Sequence, residues 1–337
     1  MALFSVMSAC TTLPSTSVTG TGPGLTGQTG TSGCTVSAEL VPTCGAWWGS
    51  HSSMGWPAFE SMVGRSAAIV HDYFGWNEIF PNRSEELAAA GGRIVFVDWT
   101  AKNFQTSEPA TTWAQIASGA DDGQIDLEAA ALKAFGKPIM VTFFAEPDQP
   151  AYSVYGDATQ YAAAWRHIYL RMAADGVRNV VWVWDVTGDF TDRGAAYAKW
   201  YPGDPYVNWI MWDPYNWYGC NGGGSAPFRS FAQIVSGMYT WLENHSDSAD
   251  QHDYLSKPWG LAEFGTVEGP RPDSKEQWLE SVPATAESRF PRLKALVYFN
   301  STDSSRGRTC NWRVDSSADS LAGYRLAGTQ PYVARLP

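Results

Sequence analysis

Two glutamates, Glu146 and Glu263, each close an apolar run that opens on Lys-Pro: KPIMVTFFAEP from Lys137, and KPWGLAEFGT from Lys257 to Thr266. The runs are rich in β-branched and aromatic residues and do not alternate, the pattern of a strand covered on both faces. A carboxylate at the carboxyl end of such a strand lies where a (β/α)8 barrel does its chemistry, because every βα loop opens onto that face. Two carboxyl groups meeting there from distant strands can divide substitution at a glycosidic carbon between them. Retention of configuration needs them about 5 to 5.5 Å apart, one as nucleophile and one as acid and then base.

The same strand ends offer residues that could hold a sugar. His71 and Asp72 close an early apolar run and are candidates for hydrogen bonds to hydroxyls. Trp76, Trp99, Trp217 and Trp312 fall at or just beyond strand ends, and Trp184 lies on a strand with its side chain expected to reach the cleft. Seventeen Trp and an aromatic share of 14% exceed what a core requires, and flat aromatic faces stack on the C–H faces of sugar rings. Ordinary core packing is the competing use of the same residues, and it is the one expected for Trp165 inside a long helical pattern.

The elements that must position these groups follow in a strand, loop, helix rhythm. Strands are expected at 45–50, 66–74, 93–99, 139–144, 179–185, 207–215, 259–263 and 294–300. Amphipathic helices over 125–137 and 158–176 each stop at a glycine, Gly136 and Gly176. Eight strands separated by helical patterns predict an α/β fold, the closed (β/α)8 TIM barrel. No early glycine-rich phosphate turn supports a doubly wound sheet. Residues 1–43, rich in Ser, Thr, Gly and Pro, read as a disordered linker, leaving 44–337 as the barrel domain. The opening MALFSVMSAC runs like an export signal into a lipoprotein-type Cys10, but without a basic residue before Arg65.

Composition narrows the partners. A net charge of −11 in 337 residues argues against nucleic acid and anionic membranes, so a neutral polysaccharide or oligosaccharide is the natural partner and a monomer the expected state. No apolar run approaches the roughly 20 residues that span a bilayer. Five cysteines suit an exported protein, with Cys34 expected to pair with Cys44 and Cys220 with Cys310; buried, reduced thiols are the alternative. No two cysteines have zinc-ligand spacing, so no metal and no cofactor are expected.

From about Ala46 to Tyr332 the chain resembles glycoside hydrolase family 26, best known for endo-β-1,4-mannanases, with licheninases and xylanases among its relatives. The resemblance is carried in order by GKPIMVTFFAEP, AWRHIYLRMAADGVRNVVWVWD, YPGDPYVNWIMWDPYNW, KPWGLAEFGT, and ALVYFN with NWRVDSS. It implies Glu146 as general acid/base, Glu263 as nucleophile and Tyr215 as the phenol that orients the nucleophile. The chain departs from the family at Ala145, where a histidine is usual, and at Asp148, where asparagine is frequent. A secreted retaining endo-β-mannanase is the leading expectation. The alternatives are a β-glucanase or xylanase on the same barrel, and a carbohydrate-binding barrel without turnover. In the catalytic readings Glu146 starts protonated, its pKa raised by burial and by the charge on Glu263.

Overall fold

The computed structural model describes residues 34–106, 108–188, 197–220, 226–270, 274–303 and 309–334. Cys10 and most of the expected linker lie outside them. Eight parallel strands form a closed barrel: β1 (Ala46–Ser52), β2 (Ile69–Phe74), β3 (Ile94–Trp99), β4 (Ile139–Phe143), β5 (Val180–Val186), β6 (Trp209–Trp212), β7 (Trp259–Thr266) and β8 (Leu293–Asn300). Each pairs with the next, and β8 closes the ring on β1 over six registered pairs from Trp47↔Ala295 to Ser52↔Asn300. The fold is the (β/α)8 barrel the sequence predicts.

Period-two alternation divides each strand between two cores. Inward residues such as Trp47, Ile69, Phe96, Met140, Val183, Met211 and Val297 fill the barrel. Outward residues such as Trp48, Val97, Val141, Trp184, Trp212 and Leu296 pack under the helices. The longest helices are Asp122–Phe135, Ala158–Ala174, Phe231–Asn244 and Lys275–Arg289. The second starts on a reciprocal cap, in which Asp157 accepts the Gln160 N–H and the Gln160 side chain accepts the Asp157 N–H.

The described chain is already folded at the end of the predicted linker. A Cys34–Cys44 disulfide closes a loop whose Leu40 and Val41 seat against the lower end of the barrel interior. The indoles of Trp47 and Trp209 donate to the Leu40 and Glu39 carbonyls at 2.7 and 2.6 Å. The other expected disulfide, Cys220–Cys310, is also formed. No described helix is long and apolar enough to cross a membrane.

Candidate active site

Polar residues that interrupt the strands' apolar runs converge at the carboxyl end of the barrel. Tyr73 comes from β2, Asp98 from β3, Asp185 from β5 and Glu263 from β7, while Asp213 directly follows β6 and Glu146 lies three residues past the end of β4. Glu146 and Glu263 are half-buried, whereas Asp98, Asp185 and Asp213 are buried beside them. The two glutamates therefore reach the mouth above a layer of carboxyl groups.

Glu263 is fixed on three sides. Its Oε1 accepts the Tyr73 hydroxyl and its Oε2 the Tyr215 hydroxyl. Its main-chain N–H donates to Asp213 Oδ1 at 2.7 Å. The β7–β8 register shifts between Leu261 and Phe264, and such irregularities re-aim a side chain beside a functional site. Burial raises the Glu263 pKa, while the two phenols and the Lys102 charge favour its ionised form.

Glu146 sits in a different environment. Phe144 and Glu146 both adopt left-handed backbone angles, φ 60° and 54°, which for residues with side chains costs about 1–3 kcal/mol each and persists only where surroundings enforce it. Asp98 Oδ1 accepts the Ala145 N–H at 3.0 Å, and the Asp185 carbonyl accepts the Glu146 N–H at 3.3 Å. Asp148 accepts from the Thr187 N–H at 3.0 Å and from its hydroxyl. Burial, then the charges of Glu263 and Asp148, push the Glu146 carboxyl up to about 8, against Lys102 and a hydrogen bond from Gln149. The two carboxyls thus differ in what opposes their burial: two phenols and Lys102 at Glu263, Lys102 and Gln149 at Glu146.

The tryptophans correct several expectations. Trp76 and Trp99 stack on each other at 4.4 Å, 2% and 0% exposed, and Trp184 is wholly buried with its indole donating to the Trp200 carbonyl. None presents a face to a sugar. The cause is alternation: Asp98 and Asp185 point inward, so Trp99 and Trp184 must point outward. Trp312 is 1% exposed and forms a wall, its ring 4.6 Å from Tyr215 and 5.3 Å from Trp217. Of the predicted stacking residues only Trp217 keeps partial exposure.

His71 also departs from its expected place. It is wholly buried in the barrel, stacked on Phe96 at 4.2 Å, and its Nδ1–H donates to the Ala262 carbonyl. Burial first, then His51, holds its pKa well below the ordinary histidine value, so it is a neutral floor residue. Asp72 turns away from the barrel toward Glu85 of the Arg83–Ala90 helix, lining a 400 Å³ cavity with Glu78 and Ile79. Arg313 pairs with Asp315 through two hydrogen bonds, 2.9 and 2.7 Å.

Tyr73, Asp98, Lys102, Gln149, Asp185 and Asp213 escaped the sequence reading. A usable signal exists for those on the strands, since a lone polar residue inside a two-sided apolar strand must face the barrel interior. Among the described residues no group of His, Cys, Asp or Glu is arranged to hold a metal ion.

Solved structures of family 26 β-mannanases share this (β/α)8 fold. A family 26 β-mannanase from Bacteroides ovatus superposes with a TM-score of 0.60 at 15% identity, over 87% of this chain and 91% of its own. The catalytic domain of a Bacillus sp. JAMB-750 family 26 endo-β-1,4-mannanase gives 0.60 at 16%, over 87% and 88%. A Cellulomonas fimi endo-β-1,4-mannanase gives 0.60 at 18%, over 86% and 72%. At these identities the likeness is one of fold. In sequence the chain is 29% identical over 293 residues to Endoglucanase H of Acetivibrio thermocellus, covering 84% of this chain and 30% of that protein's length. No family model matches the chain.

Proposed function

We propose that the protein is a retaining glycoside hydrolase of neutral β-linked polysaccharide, with Glu263 as nucleophile and Glu146 as acid and then base. The observation that carries the reading is the contrast between the two carboxyls. Glu263 receives two phenol hydrogen bonds that favour its anion, whereas Glu146 is held protonated to about pH 8. Attack by Glu263 on the anomeric carbon breaks the glycosidic bond as Glu146 delivers its proton to the leaving oxygen. The covalent ester removes the Glu263 charge, which lowers the Glu146 pKa, so Glu146 can take a proton from the incoming water. Tyr215 and Tyr73 hold Glu263 in line throughout.

For the polymer, the 29% relative is called an endoglucanase while the mannanase structures stand at 15–18%. That contrast favours a β-glucan backbone. Mannan is the second reading, supported by the mannanase names of those fold relatives and by the motifs from GKPIMVTFFAEP to NWRVDSS. Secretion belongs to the same proposal, because two disulfides suit an oxidising compartment. Release of reducing sugar from β-glucan, mannan and xylan, with Glu263→Ala alongside, tests the proposal. Turnover on β-glucan that vanishes in the variant is expected; turnover confined to mannan or xylan would replace the polymer. Sugar binding without turnover would leave a binding barrel.

A further inference from the structure

The geometry points to Lys102 as a positioning residue of this site: its ammonium, seated in an aromatic box, pins the turn that bears Glu146 and supplies the positive charge against which the surrounding carboxyls are set. The inference rests on the hydrolase reading above. Lys102 lies in the loop after β3, where its carbonyl accepts the Trp76 N–H at 3.0 Å. Its Nζ donates to the Tyr152 hydroxyl at 3.0 Å, lies 4.2 Å from the centre of that ring and 5.1 Å from the centre of Phe144. Phe144 in turn meets Tyr152 edge-on at 5.1 Å and Tyr155 at 4.7 Å. One side chain therefore grips both ends of the segment that contains Glu146, and the left-handed Phe144 is one of those ends.

The charge matters because of what faces it. Asp98 comes from β3, Glu146, Tyr152 and Tyr155 from the segment after β4, and Glu263 from β7; Asp148, Asp185, Asp213, Tyr215 and Tyr73 act on the two glutamates from the other sides. His51 of β1, stacked on Phe299 of β8, is held down to about 4 by burial and is neutral. Burial works against the Lys102 charge, yet Tyr152, Asp98 and Glu146 carry its pKa above the ordinary lysine value. Its charge in turn favours the ionised forms of Asp98, Glu146 and Glu263.

The sign of the consequence is fixed. Without the ammonium both Glu146 and Glu263 ionise at higher pH, so both limbs of the bell-shaped kcat/KM profile move alkaline together, by about one unit. Profiles on soluble β-glucan for the full chain, Lys102→Met, Lys102→Gln and Lys102→Arg test this. Displacement in Met and Gln, with Arg near the parent profile, is expected; a bell that drops in height with its limbs in place would reduce Lys102 to a packing role and overturn the inference. Gln keeps a hydrogen bond to Tyr152 should Met fail to fold. A parent idle on β-glucan but active on mannan or xylan moves the profiles to that polymer; one without turnover on all three would sink the hydrolase reading instead, and the Glu146 carboxyl titration, followed by carbon NMR, then decides whether Lys102→Gln raises it.

Discussion

At the scale of single residues, the account turns on unlike treatment of two like side chains. The hydroxyls of Tyr215 and Tyr73 point at Glu263, and a hydrogen bond to a charged group contributes about 1.5–3 kcal/mol. Tyr215→Phe should therefore lower kcat/KM by about 10–100-fold, and because the lost phenol favoured the carboxylate, the acidic limb should shift upward. An unshifted limb would mean that Tyr215 only packs. Glu146→Ala should lose about 10²–10⁴-fold on polysaccharide, with most of that recovered on aryl glycosides whose leaving group needs no proton. Equal loss on both substrates would remove Glu146 from the acid role. The glutamates were readable because each ends a long apolar run after Lys-Pro. Tyr73 was missed although a lone polar residue in an apolar strand is itself a signal, and Asp213, just past the end of β6, carries no such signal.

Elements decide whether these groups meet. β4 ends in the left-handed turn at Phe144–Glu146, whose middle N–H is held by Asp98 from the neighbouring strand. The wall behind Tyr215 is built by Trp312, which follows Cys310 of the Cys220–Cys310 disulfide. The turn beyond is tied down by buried Lys275, whose amine donates to the Asn311 and Arg313 carbonyls and to Ser316 at 3.3, 2.7 and 3.1 Å. The disulfide closes a separation of 90 residues, so replacing both cysteines by serine should cost about 2–4 kcal/mol, read as a lower denaturant midpoint. Activity should fall with it as Trp312 loses its backing; full activity in the folded variant would show that the wall stands without the bridge. All eight strands were visible in the sequence because two-sided burial writes a continuous apolar code. The aromatic subsites were misplaced because a tryptophan at a strand end reads the same whether it faces the barrel or the helices.

For the whole molecule, the raised acids predict an unusual pH dependence of stability. Burial pushes Glu146 to about 8, Glu128 to about 9, Asp72 to about 7 and Asp98 to about 6, against about 4 in an unfolded chain. Between those values the folded state binds more protons, so the stability these groups contribute is full below about pH 4 and is lost as pH rises through 6 to 9. With a net charge of −11 adding self-repulsion, the melting temperature should rise from pH 8 toward pH 5. A maximum at or above neutrality would mean that these carboxyls are ionised in the fold. The barrel brings Glu146 and Glu263, far apart in sequence, to one mouth, where burial raises both carboxyls but two phenol hydrogen bonds oppose the rise only at Glu263. Proton NMR of the first sugar released from a β-linked substrate tests that most directly: the β-anomer appearing first, before mutarotation, is the outcome predicted for a nucleophile and an acid/base acting in turn, and the α-anomer appearing first would contradict it.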